Sequence, residues 1–450
     1  MMNRRTFLKK GIASAVGASS LYGVSSQFSL VQAMSQTQPF NDYKALVCVF
    51  LLGGNDSLNM LVPTESAAYS AYESTRQNLA VALEETLPIA TRSAQYSSLG
   101  LHPSLASLSN VYANGHAAFV SNMGPLIQPV TVSQVLSGQA VLPPQLFSHS
   151  DQQNHWQTAD PQNVALTGWA GRMADLIYDS GHPLSMNLSM AGGNLWQTGR
   201  NVLPFALGPN GAEEMVGINT DVSWQQANAA FYDTINSGAS NRFQQAFSDI
   251  VQRTRRTGSL VNSALATVDE LQTEFPASRF GAQMEGVARM IATRQTLDQP
   301  RQVYYVAMGG WDTHDNQNAD HPRLLTELAE GLAAFYSATQ ELGVADAVTT
   351  FTASDFGRTM TSNGDGTDHG WGGHQIVLGG AVNGGDVYGE VPELMLNGNQ
   401  DIGDGRLLPT IAVDQYAATL GAWFGLTDNQ LLEVFPNLAN FSTRNLSFMR

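Results

Sequence analysis

The stretch "VAMGGWDTHDNQ" (Val306–Gln317) is an apolar run that halts at two glycines and is followed at once by Asp312 and His314. Its apolar part belongs to a set of runs of strand length, each closed by Gly, Asn or Asp: Ala45–Leu52, Ala117–Asn122, Leu184–Met190, Val303–Met308, Val348–Ala353 and Ile376–Leu378. Runs without polar alternation are strands buried on both faces, as in a mostly parallel sheet covered by helices. Helical patterns fall between them, at Pro103–Asn114, Gly168–Tyr178, Arg323–Leu342 and Pro409–Phe424. Strand and helix alternate, so the fold class is α/β.

From about residue 221 to 296 the strand signal disappears and long amphipathic patterns such as "FGAQMEGVARMIATRQ" take over. Because strand-like runs resume beyond it, this segment reads as a helical insertion within one large domain spanning 45–450. The chain ahead of that domain has another purpose. "NRRTFLKK" (Asn3–Lys10) precedes a weakly apolar run too rich in small residues for a stable membrane span, and Val31 and Ala33 suit a cleavage site. Arg4, Arg5, Phe7 and Leu8 resemble the twin-arginine signal, so residues 1–33 are expected to be an export signal read by the twin-arginine translocation machinery, and residues 34–44 an N-terminal tail. A periplasmic or secreted location follows from that expectation.

The whole chain carries 22 basic and 38 acidic residues, a net charge of −16 that falls to −20 once the four basic residues of the signal are removed. Such an acidic chain excludes a nucleic-acid partner bound through a basic groove. Cys48 is the only cysteine, so no intrachain disulfide exists, and its place in "ALVCVFLLGG" makes it a small buried hydrophobe.

Ligands of open parallel sheets bind beyond the carboxyl ends of the strands. There the sequence places Asp56 and Ser57 in "GGNDSLN", Asp312 and His314 in "GGWDTHDNQ", and Asp355, Arg358, Asp368, His369 and His374 in "SDFGRTMTSNGDGTDHGWGGH". A further loop, "FSHSDQQNHW", adds Ser148, His149, Ser150, Asp151 and His155. Carboxylates and imidazoles converging from several strand ends form the donor set of zinc or manganese rather than calcium. The candidate metal ligands are Asp56, Asp312, His314, Asp355, His369 and His374, holding one or two ions.

The segments "LVCVFLLGGNDSLNMLVP", "SHSDQQNHWQT", "TGWAGRMAD", "GGWDTHDNQ", "SDFGRT" with "DHGWGGH", and "DQYAATLGAWFGL" resemble, in that order, the motifs of the bacterial domain-of-unknown-function family 1501, over nearly the whole mature chain. That family is similar to the alkaline phosphatase and sulfatase superfamily. The resemblance implies a three-layer α/β/α sandwich with metal ions at the strand ends, and hydrolysis of a small phosphate or sulfate ester. Asp56 matches the first-strand metal aspartate, Asp312 and His314 the Asp/His set of the later strand, and Asp355 the next strand-end carboxylate. Two departures stand out: Phe356, not histidine, follows Asp355, and there is no Cys-x-Pro-x-Arg element of the sulfatase kind. A serine is then the expected nucleophile, Ser148 ahead of Ser150 and Ser57, with Arg358 holding the developing negative charge. The alternative is a catalytically inactive binding or assembly protein on the same fold.

Overall fold

The computed structural model describes residues 40–92, 98–178, 182–213 and 242–450. The expected export signal and residues 221–241 of the expected insertion lie outside these residues.

Strand β1 (Lys44–Leu52) is the middle of the molecule. Its nine residues are almost wholly buried because they serve two cores at once. Ala45, Val47, Val49 and Leu51 join one apolar cluster, whereas Leu46, Cys48 and Phe50 join the other. This is the two-residue alternation of a strand sandwiched between helical layers. On the first face lie helices α2 (Ala106–Ala113), α7 (Arg279–Ala292) and α8 (Gln317–Glu341). The second is covered by α4 (His149–Thr158), α5 (Trp169–Ile177), α9 (Val413–Phe424) and α10 (Asp428–Val434). The result is the α/β/α sandwich.

β1 pairs in parallel with β8 (Arg301–Gly309) and β9 (Val348–Ser354). Beyond β8 the sheet continues in parallel through β6 (Asn187–Ser189) and β7 (Phe205–Ala206). Beyond β9 comes β10 (Gly373–Leu378), antiparallel to β9 and to β5 (Ala117–Gly124), with β11 (Asp386–Tyr388) and β12 (Ile411–Ala412) on the far side of β5. The nine-stranded sheet is therefore mostly parallel, with β10 reversed. A small sheet of β2 (Leu61–Pro63), β3 (Leu87–Ile89) and β4 (Leu99–Leu101), which the sequence did not announce, lies outside it. The described part of the segment between β7 and β8 holds α6 (Arg242–Leu265) and α7. No helix among the described residues is long and apolar enough to cross a membrane.

Two local differences from the sequence reading bear on function. "HSDQQNHW" is not loop but the body of α4, and α8 starts at Gln317, six residues earlier than its apolar pattern, directly after left-handed Asn316. Both helices thus begin at the strand-end edge. The double glycine closing β1 explains how the loops there come so close. A Cβ on Gly53 (φ +121°) would stand 2.4 Å from the Asp312 nitrogen, and one on Gly54 (φ +86°) 2.3 Å from the Phe356 ring. Only glycine accepts both the contact and the backbone conformation.

Three histidines are sealed beneath this edge: His102, His321 and His374. Burial pushes them down to about 4, 3 and 4, with the Asp56 carboxylate opposing in each case. An unfolded chain protonates them below about 6.5, while the folded chain resists until its own lower values. Stability is then complete above pH 6.5 and falls as pH drops toward 4, by about 1.4 kcal/mol per unit for each histidine. His102→Asn retains an acceptor for the Ser104 N–H now bound by His102 Nδ1 (3.1 Å). Urea unfolding between pH 6 and 4.5, with chelator present, should show a slope shallower by about that amount in this variant. An unchanged slope would show that His102 titrates normally in the folded chain.

Candidate metal centre

Asp312 is the hub of the strand-end edge. Its Oδ1 receives a hydrogen bond from Arg358 Nη2 and lies 3.2 Å from His314 Nε2 and 3.5 Å from His369 Nε2. Its Oδ2 lies 3.4 Å from His149 Nε2. Burial alone would raise the Asp312 carboxyl, but the Arg358 hydrogen bond and charge, with His149 and His314 nearby, hold it below the usual carboxylate range. His149, Asp312 and His369 offer ligand atoms all within 4.8 Å of one another, the one such group of three among the described residues.

The far nitrogen of each imidazole fixes which way the near one faces. His149 Nδ1 is 2.8 Å from Asp355 Oδ2, His369 Nδ1 is 2.7 Å from the Phe147 carbonyl, and His314 Nδ1 is 3.3 Å from Asp368 Oδ1. A carbonyl or an ionised carboxylate can only accept, so Nδ1 of His149 and of His369 carries the proton, while His314 Nδ1 lies near Asp368 without a hydrogen bond to it. In the neutral form of those two rings Nε2 then presents a lone pair, and all three Nε2 atoms face Asp312. His314 Nε2 and His369 Nε2 are only 2.8 Å apart. Two lone pairs cannot face each other at that distance: either His314 has its proton on Nε2 and donates to His369, or a cation lies against both nitrogens. Three imidazoles, two of them oriented by oxygen acceptors, with one carboxylate, fit a divalent zinc-like ion.

The surroundings enforce this arrangement. Asp355, fully buried, accepts from Gly53 N–H (3.1 Å) and Gln153 Nε2 (2.9 Å) as well as His149, so its oxygens are spent on orienting the ring. Phe356 packs beneath His369 and His149, with ring centroids 4.4 and 4.9 Å away, and gives the imidazoles an apolar floor. Phe147 sits at φ +75°, a conformation costly for a bulky residue, and its carbonyl is the one that meets His369. By side-chain exposure, Asp312 (46 %), His314 (42 %), His149 (34 %) and His369 (22 %) remain open to solvent, as a site that receives a ligand must.

Of the six expected ligands, the structure brings Asp312, His314 and His369 together. Asp355 stands one step behind, holding His149. Asp56 is sealed in a separate pocket, where Oδ2 receives Arg76 Nη2 and Gln317 Nε2. Burial raises the Asp56 carboxyl, and the charges of Arg76 and His321 with the two hydrogen bonds more than offset it, leaving it below the usual range. His374 is also removed from the cluster. The Asn122 N–H can only donate to His374 Nδ1 (3.1 Å), so the proton of the neutral ring is on Nε2 and no lone pair is free for a cation.

The expected catalytic pair needs correction too. Arg358 is wholly buried, and it donates to the carbonyls of Gly53, Gly54, Trp311 and Thr367 and to Asp312. It is an internal strut, not a group waiting for an anion. Ser148 precedes α4 and its hydroxyl donates to Asp151 Oδ2 (2.6 Å), with Ser150 Oγ 3.4 Å away. Ser57 is buried and its oxygen accepts the His374 N–H (2.7 Å). None of these hydroxyls contacts the ligand atoms. His149 is the cluster residue that the sequence set among the motifs without marking it as a ligand, and its signal was a histidine between two candidate serines with Asp151 close behind.

Solved structures similar to this chain include the PsFucS1 sulfatase from Pseudoalteromonas sp. (9 % identity over 90 % of this chain and 72 % of that one, TM-score 0.34). Others are the phosphonate monoester hydrolase SpPMH from Silicibacter pomeroyi (9 %, 85 % and 73 %, 0.33) and the lipoteichoic acid synthase LtaP from Listeria monocytogenes (8 %, 86 % and 72 %, 0.32). No curated protein matches the sequence. The model of the family described as a protein of unknown function, DUF1501, matches residues 43–435, and the chain belongs to that family.

Proposed function

We propose that this protein is an exported, divalent-metal-dependent hydrolase of small phosphate or sulfate esters. The observation that carries the reading is the set of three imidazoles, His149, His314 and His369, with Nε2 turned toward Asp312 and, in His149 and His369, Nδ1 bound to an oxygen acceptor. A divalent cation held by these four residues supplies Lewis acidity, polarising an ester oxygen and lowering the pKa of a water. The chain's own residues do the rest. Asp355 and the Phe147 carbonyl keep the imidazoles in the required tautomer, Arg358 fixes the Asp312 carboxylate, and Phe356 shields the lower side from water. With Ser148 donating to Asp151, the nucleophile in this reading is water and not a serine.

Metal analysis of protein purified without chelator should find zinc or manganese, and Asp312→Ala or His369→Ala should remove it together with any hydrolysis of a phosphate and sulfate ester panel. Metal bound with no turnover across the panel would favour the binding or assembly role on the same fold. Absence of metal from wild-type protein would sink the hydrolase reading.

Asp355 acts here through His149. Asp355→Asn retains the shape but lets the amide present either face to Nδ1, so metal affinity should weaken by about 10- to 100-fold, as for other carboxylates that orient a ligating histidine. Unchanged affinity would mean that His149 does not ligate through Nε2.

Export belongs to the same proposal and rests on Arg4, Arg5, Phe7 and Leu8. Replacing both arginines with lysine should leave full-length precursor in the cytoplasm. Mature protein appearing outside the inner membrane at its normal level would refute the twin-arginine route.

A further inference from the structure

Two fully buried arginines stand at the strand-end edge, Arg76 at the end of α1 (Ser66–Arg76) and Arg358 after β9. Of the three strand-end aspartates, Asp312 is paired with Arg358 and Asp56 with Arg76, while Asp355 is met by neutral donors and by His149. Arg76 is held on every side. Nε donates to Asn59 Oδ1 (3.0 Å), Nη1 to the carbonyls of Thr359 (3.0 Å) and Met360 (3.3 Å), and Nη2 to Asp56. Asn59 Oδ1 is itself fixed by the Tyr72 hydroxyl (2.9 Å).

A second divalent ion at Asp56 would need further anionic or imidazole donors facing the carboxylate. They are not there. Gln317 presents its NH2 to Asp56, since its Oε1 accepts from the Thr313 (3.2 Å) and Thr367 (2.8 Å) hydroxyls. His374 Nδ1 is taken by Asn122 N–H, and His321 Nε2 faces Asn55 Oδ1 (3.0 Å), whose own amide donates to the Met60 sulfur (3.2 Å). Asp56 Oδ1 has no hydrogen-bond partner, and the carboxylate's hydrogen bonds, from Arg76 and Gln317, both fall on Oδ2. A buried ion this close to a guanidinium would also meet repulsion with little solvent to screen it.

We propose that the Arg76 guanidinium is the resident cation of the Asp56 pocket, so that the chain holds one metal ion, not two. This rests on the reading of the His149/His314/His369/Asp312 cluster as the metal centre. Arg76 is a positioning residue in this scheme. Through the Thr359 and Met360 carbonyls, and through Asp56, which Gln317 also meets, it ties the loop after β9 and the start of α8 to the end of β1, and it spares the fold a buried unpaired carboxylate.

The test titrates chelator-stripped full-length mature protein with zinc alone and with manganese alone, and measures thermal unfolding of the same metal-free samples. Wild type and Asp56→Asn should each bind one equivalent with the same affinity within about threefold, while Asp312→Asn should lose it. In the metal-free melts Arg76→Met should be the least stable, and Arg76→Met/Asp56→Asn should recover part of the lost melting temperature, because the stranded charge has gone. Two equivalents in wild type, or loss of an equivalent in Asp56→Asn, would overturn the proposal. So would a double variant no more stable than Arg76→Met. Should Arg76→Met fail to fold, the stoichiometry of Asp56→Asn decides alone. Should wild type bind no metal, the cluster reading fails, and the order of the melts still decides whether Arg76 is the partner of Asp56.

Discussion

The strand-end edge is organised by one buried guanidinium. Arg358 reaches the carbonyls of Gly53 and Gly54 after β1, of Trp311 after β8 and of Thr367 in the loop after β9, and its remaining contact fixes Asp312. Withdrawing an arginine from water costs several kcal/mol unless its donors find acceptors and its charge a partner. Here the acceptors are backbone oxygens that strand ends leave unpaired, so one side chain relieves two problems. A planar, rigid donor fork suits the task in a way lysine's single ammonium does not. Because Asp312 supplies the counter-charge, the carboxylate at the centre of the cluster is held by the same interaction that closes the loops.

That coupling explains why glycines crowd the same place. Gly53 and Gly54 let the end of β1 touch the Asp312 and Phe356 segments. A Cβ on Gly357 would come within 1.9 Å of the Gly372 carbonyl, across the hydrogen bonds Gly357 N–H to Trp371 O and Gly370 N–H to Gly357 O. The motifs "GGND", "DFGR" and "DHGWGG" therefore combine two kinds of residue: donors and ligands, and glycines that let backbones approach closely enough for those side chains to meet.

Much of this was legible in the sequence, for a physical reason. Strands buried on both faces must be continuous apolar runs, so β1, β5, β8 and β9 were marked by composition, and a parallel sheet carries its ligands at the strand ends. The reversal of β10 was not read from the sequence, although it suits the segment between Ser354 and Gly373, which lacks the helical crossover that a parallel return usually needs. What the sequence hid were contacts across long separations. Nothing in "YESTRQNL" distinguishes Arg76 from an ordinary basic residue ending a helix, yet it pairs with Asp56 inside the protein. Arg358 stood in a motif and was read as an anion binder, because a motif shows that a charge sits at the edge and not whether backbone carbonyls have already claimed it. His374 failed as a ligand on the evidence of a single backbone donor, Asn122 N–H, whose direction only the fold decides.

The division of labour among the cations follows from exposure. A guanidinium does not lose its proton at any ordinary pH and does not exchange with solvent, so Arg76 and Arg358 are suited to sealed positions where their charge must be permanent. The three imidazoles lie where water reaches, and their charge is conditional. At 2.8 Å, His314 and His369 are incompatible as two bare lone pairs, so the pair needs either a proton on His314 Nε2 or a metal ion recruited from solution. Asp312, anchored from behind by Arg358 and half open in front, is the one strand-end carboxylate placed to share in that recruitment. A metal ion entering there would displace the proton between the rings, so its uptake would release protons and weaken in acid. The fixed charges hold the edge together, and the imidazoles are the cationic candidates that it leaves facing solvent.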